Sequence, residues 1–243
     1  MLSRASSLSL LLLLVAGAEL AAAAEIRGQV ALRHLGVLQG EAEVDGRRLI
    51  SVALLPRSAA ATGRPRTHVI RVRDGHFEPL YLAIRRGDRV RFVNQAGVYH
   101  ELFSLSAAEP VHMRLGKSGA GANSERDFAM TGSWHLFCRI HSRSYARIDV
   151  LDAVRIQMIP AGGHFEFEGL EAGRWQLRVA GPGVETQHVE AVAMTSPPPL
   201  KLTLAVHGAP GAGQGLAAAP IAIEQLFPAE PDDRGSVGGR RGP

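Results

Sequence analysis

The chain is poor in the residues from which most disulfide and metal frameworks are built. It has one cysteine, Cys138, in 243 residues. That excludes an intramolecular disulfide scaffold and every zinc or iron–sulfur site made of several thiolates. Charge of one sign is also scarce. Lys+Arg number 27 against 23 Asp+Glu, a formal net charge of +4, with no basic run of five and no interleaving of basic and aromatic residues. No nucleic acid partner is expected. After residue 24 no stretch reaches about 18 apolar residues, so no transmembrane segment is expected. Gly-x-Ser-x-Gly, His-Glu-x-x-His and the P-loop are absent, and nothing points to a hydrolase. Heptads and long helical periods are missing too.

The N-terminus has the pattern of an export signal. Arg4 precedes the apolar run 8–15, and small residues end at Ala22-Ala23-Ala24. This predicts a signal peptide over 1–24 and a periplasmic location, with an extracellular one as the alternative. A free thiol in an exported protein needs protection from oxidation, and burial or a metal would each provide it.

The remaining chain reads as all-β. Short apolar and β-branched runs recur between Gly, Pro, Asp and Asn, at 26–32, 49–55, 68–72, 80–84, 89–93, 100–103, 124–128, 133–137 and 146–151, then at 154–159, 164–168, 174–179, 187–193 and 201–206. Several alternate strictly, as in Arg89-Val90-Arg91-Phe92 and Arg174-Trp175-Gln176-Leu177, which gives one polar and one buried face. Residues 58–65 read as a linker. Residues 207–243, rich in Gly, Pro and charge, read as a disordered tail, with 221–227 as a possible short docked segment.

Chemistry concentrates around Cys138. The order Cys138-Arg139-Ile140-His141 puts a thiolate and an imidazole on one short loop, and His100 offers a third ligand. Two imidazoles with one thiolate form the donor set of mononuclear copper electron-transfer sites, usually with a weak axial Met. The competing reading is a small buried cysteine and unrelated histidines. Glu166 and Glu168 read as a solvated strand face. His135, three residues before Cys138, is expected on the other side of its strand from the site.

Residues 66–151 resemble the cupredoxins of the plastocyanin and pseudoazurin type. The resemblance rests on Phe77-Glu78-Pro79, the run Arg86 to Asn94, His100 to Ser104, Phe128 to Trp134, and Cys138-Arg139-Ile140-His141. It implies a Greek-key β-sandwich with His100, Cys138 and His141 as ligands to one type 1-like copper ion, and a structural role for Asn94. Cupredoxins usually carry Met three or five residues after the second histidine. Ser144 and Ala146 stand there, while Met113, Met130 and Met158 lie elsewhere. The axial place is then left to water, a carbonyl or Glu101, or to no donor. Arg139, Arg143 and Arg147 imply a basic surface beside the site and a redox partner with an acidic one.

Residues 163–179 are similar to the strand–turn–strand pattern of carboxypeptidase regulatory-like domains, which are small transthyretin-like β-sandwiches. Ile26-Arg27-Gly28-Gln29-Val30 fits the opening strand of such a domain. The expected layout is therefore nested: 25–57 and 152–206 form the second sandwich, and the cupredoxin segment is inserted between them. This combination resembles proteins of the plastocyanin-like, methylamine-utilization group. The expected function is one-electron transfer by an exported copper protein, a role that is not enzymatic. Copper storage or delivery, and a structural or interaction module with a degenerate copper site, are the alternatives.

Overall fold

The computed structural model describes residues 23–34, 48–58, 63–104, 110–117 and 122–206. The expected tail and most of the expected signal segment lie outside these. The strands are β1 (Ala24–His34), β2 (Leu49–Leu54), β3 (Thr67–Arg73), β4 (His76–Glu78), β5 (Tyr81–Arg85), β6 (Arg89–Asn94), β7 (His100–Ser104) and β8 (His112–Leu115). They continue with β9 (Asn123–Asp127), β10 (Gly132–Cys138), β11 (Tyr145–Leu151), β12 (Arg155–Pro160), β13 (His164–Leu170), β14 (Gly173–Gly181), β15 (Val184–Ala193) and β16 (Leu200–Val206). No α-helix occurs among the described residues. The sequence pattern missed β4 and β8, because three and four residues are too few for alternation to register.

Three sheets result. β4-β3-β6-β9 and β5-β11-β10-β7-β8 form one pair of layers, and β12-β2-β14-β15-β16-β1-β13 forms the third sheet. The first two sheets enclose a core of Ile70, Val72, Val90 and Phe92 from one side and Leu102, Trp134, Leu136 and Ile148 from the other. Phe128 meets Trp134 edge to face at 5.4 Å, a favoured aromatic geometry. β3 and β6 pair in parallel, as do β5 and β11, so the chain crosses between the layers, as in a Greek-key sandwich.

The seven-stranded sheet encloses a second core that includes Ile26, Val52, Phe165, Phe167, Trp175 and Leu177. β15 meets β16 at the single ladder pair Val184↔Val206. The sheet's edge strands approach each other: Gln157 on β12 donates to the Glu166 carbonyl at 2.6 Å and accepts from its N–H at 3.0 Å. This satisfies backbone groups that an exposed edge would leave unpaired. Gly28 on β1 has no room for a side chain, since a Cβ there would lie 2.6 Å from the Leu200 carbonyl and 2.7 Å from the Phe165 ring.

A buried polar cluster joins this sheet to the sandwich. Asp149 on β11 is fully buried. It accepts two hydrogen bonds from Arg147, at 2.7 and 2.8 Å, one from Ser133 at 2.7 Å and one from Tyr81 at 3.1 Å. From the other unit, Ser51 on β2 lies 2.7 Å from the Tyr81 hydroxyl, and Arg178 on β14 lies 3.6 Å from Asp149. Burial alone would raise the Asp149 carboxyl, but the Arg147 hydrogen bonds and charge, with Ser133 and Arg178, outweigh it and hold the group below the usual carboxylate range. Burial, and then the Asp149 charge, push the Tyr81 phenol up.

Replacing Asp149 by Ala leaves two arginines without their buried counter-charge and should cost about 3–5 kcal/mol in urea denaturation at pH 7. A carboxyl lowered on folding contributes stability above its unfolded value, about pH 3.9. That contribution is lost as pH falls through its folded value. The gap between wild type and Asp149→Ala should therefore narrow on acidification below pH 4.

Candidate metal centre

Alternation along β10 turns Trp134, Leu136 and Cys138 into the sandwich core, with Phe137 and His135 on the other side. Antiparallel pairing sets Cys138 opposite Leu102 on β7. Two residues earlier His100 faces the same way and is 1% exposed. The loop before it is held by Asn94. The Asn94 amide donates to the carbonyls of Val98 at 2.6 Å and Gly116 at 2.7 Å, and its oxygen accepts from Ala96 N–H at 2.9 Å. Asn94 thus positions the approach to His100 from the end of β6.

His141 lies just beyond β10, half-buried. Cys138 Sγ is 3.6 Å from His100 Nδ1 and 3.6 Å from His141 Nδ1. The two rings are 4.4 Å apart between centroids and tilted by 36°. The three donor atoms lie close enough together to hold one metal ion. One ion bonded at about 2.3 Å to sulfur and about 2.0 Å to nitrogen would span separations of this size.

The electrostatics fit a cation. Burial, and then the neighbouring His141, hold the His100 imidazole below the usual histidine range, so it stays neutral, the form that ligates. His100 Nε2 is buried and makes no hydrogen bond. Only its Nδ1 edge, facing sulfur, can offset the desolvation of the ring. The single thiol proton can serve one imidazole at most. A metal ion would engage all three groups together.

The side chains considered for a fourth donor have other surroundings. Ala146 pairs with Leu136 on β11 and is buried in the core. Glu101 points outward and binds His112 at 2.6 Å. The Ser144 hydroxyl donates to the Gly75 carbonyl. Met113 is paired with Leu102, one strand further from Cys138. Met130 is an exposed residue before β10, and Met158 belongs to the seven-stranded sheet.

His135 does face away from the site, with its Nδ1 2.8 Å from the Tyr145 hydroxyl. Arg147 departs from expectation. It is bound to Asp149 and stacked over Tyr81 at 5.6 Å, so it adds nothing to the charge beside His141. Arg139 and Arg143 remain exposed there. Sequence reasoning also missed the β3–β4 turn as a neighbour. Asp74-Gly75 reads as a turn, but its position against the His141 ring depends on how the two sheets stack. Glu25, Glu166 and Glu168 also gather on the β1–β13 edge, where Glu25 pairs with Arg27 at 3.8 Å as an ordinary solvated surface.

No family model matches the chain, and no curated protein matches it. Solved structures do. A purple cupredoxin from Nitrosopumilus maritimus is 20% identical over 34% of this chain and 98% of its own, with a TM-score of 0.30. A mutant amicyanin in the Cu(I) form is 16% identical over 41% of this chain and 98% of its own, with a TM-score of 0.31. A copper-containing nitrite reductase from Thermus scotoductus is 21% identical over 42% of this chain, with a TM-score of 0.33, and the match spans 26% of that enzyme.

Zn(II), a redox-silent probe, should stabilise the protein by about 2.7 kcal/mol at a hundredfold excess over its dissociation constant. Thermal melts should show this shift in wild type and lose it in Cys138→Ser and in His100→Ala.

Proposed function

We propose that this is an exported copper-binding protein that carries single electrons, with His100, Cys138 and His141 as ligands and no catalytic turnover of its own. One observation carries the reading: a core-facing thiol with two imidazole Nδ1 atoms each 3.6 Å away, one of them on a neutral, buried ring. Copper bound by this donor set supplies a one-electron couple with strong thiolate character.

The chain's own residues supply the rest. Cys138 and His100 end paired strands, which holds their separation against change. The apolar core around Leu102 and Leu136 keeps water from the sulfur side. His141 is the more exposed of the two histidines and forms the natural exit for an electron. Beside the two histidines along the chain, Val98, Tyr99 and Ile140 are 43%, 59% and 55% exposed, Arg139 and Arg143 are exposed in the His141 loop, and Lys117 lies over the Tyr99 ring. An apolar patch with a basic rim suits a redox partner with an acidic surface. In this reading the seven-stranded sheet is the regulatory-like sandwich, a structural companion, and the periplasm is the working compartment.

Titration of the protein with Cu(II) should produce an intense visible thiolate-to-copper band that saturates at one equivalent and is absent in Cys138→Ser. A reversible couple by voltammetry should accompany it. Tight Cu(I) binding without a reversible couple would move the function to storage or delivery. No copper binding in either state would leave an interaction module.

The basic rim has its own readout. Oxidation of the reduced protein by ferricyanide, an anion, should slow as salt is added. In the double variant Arg139→Glu, Arg143→Glu it should be about tenfold slower at low ionic strength.

A further inference from the structure

We propose that Ser144 tethers the loop carrying His141 and is not a donor to the metal. This deepens the reading of His100, Cys138 and His141 as ligands by assigning the residue at one of the two positions where a fourth donor was sought. Ser144 is 1% exposed and immediately precedes β11. Its N–H donates to the His141 carbonyl at 3.0 Å, closing a turn around the ligand. Its one hydroxyl proton goes to the Gly75 carbonyl in the β3–β4 turn.

That turn also backs the imidazole. Asp74 and Gly75 have φ of 49° and 74°, the left-handed geometry of a tight Asp-Gly turn. A Cβ on Gly75 would stand 3.6 Å from His141 Cδ2. One short turn therefore both receives the Ser144 hydroxyl and packs against the ring. At the other end of the loop, Arg139 N–H donates to the Glu101 carbonyl at 2.9 Å, next to His100. Residues 139–144 are pinned at both ends, to β7 and to the β3–β4 turn, with His141 between the pins. The tether holds His141 Nδ1 toward Cys138 Sγ before any metal arrives, which lowers the ordering cost of binding.

Ser144→Ala and Ser144→Thr test the assignment, in the metal-free protein and after loading with Cu(II). Loss of a buried hydrogen bond should lower the metal-free melting temperature of Ser144→Ala by about 2–10 °C. Copper release to a chelator should be faster by about tenfold, the size of a lost buried hydrogen bond. Ser144→Thr keeps the hydroxyl and should restore both. The position of the charge-transfer band should be the same in all three proteins. An unchanged metal-free melting temperature in Ser144→Ala overturns the tether. So does a shifted band in Ser144→Ala that Ser144→Thr restores, because the hydroxyl would then be a donor. If wild type takes up no copper, the functional reading fails separately, and the metal-free melts still decide for or against the tether.

Discussion

Strand alternation along β10, locked by its pairing with β7, is the constraint on which the cluster of His100, Cys138 and His141 depends. It sends Trp134, Leu136 and Cys138 into the same core and puts Cys138 opposite Leu102. His100 then falls on the same face without any long-range device beyond the ladder. A slip of one residue would turn Cys138 outward and bring Phe137 into the core. The large apolar side chains at 134 and 136 make that slip costly, so the hydrophobic core itself sets the position of the thiol. The loop that follows has only to place one more imidazole.

Two of the buried polar clusters among the described residues differ in chemistry. Asp149 is surrounded by Arg147, Ser133, Tyr81 and Arg178, and its charge is met by hydrogen bonds and ion pairs. It needs no further ligand, and it joins β11 of the sandwich to β2 and β14 of the other unit. The cluster of His100, Cys138 and His141 has no formal counter-charge among its members and gathers three donor atoms, with both Nδ1 atoms 3.6 Å from the sulfur. The first cluster stabilises the joint between the units. In the second, three donor atoms lie close enough together to hold one metal ion.

The strands run between these clusters. β11 carries Asp149 near one end and begins just after Ser144 at the other. The joint with the seven-stranded sheet therefore braces the same strand whose start anchors the ligand loop. This gives the second unit a mechanical place in the structure: it covers Tyr81 and Asp149, which would otherwise be a polar face open to water.

Local pattern carried much of this. Period-2 alternation marked the long strands, and the spacing of Cys138 and His141 placed two donors on one loop from sequence alone, because both are consequences of near-neighbour geometry. His100 came from the resemblance and its strand-end position. The short strands β4 and β8 were invisible, since so few residues hold no period. Arg147 is drawn away from the site by Asp149, two residues on and on the same face, whose burial no local pattern reveals. Ser144 and Gly75 lie 69 residues apart, and no local rule links a hydroxyl to a carbonyl at that distance. The all-β class and the donor types follow from the order of residues along the chain. How near the donors stand, which side chains are already engaged, and what backs His141 follow from the packing of one sheet on another, which acts between residues far apart in sequence.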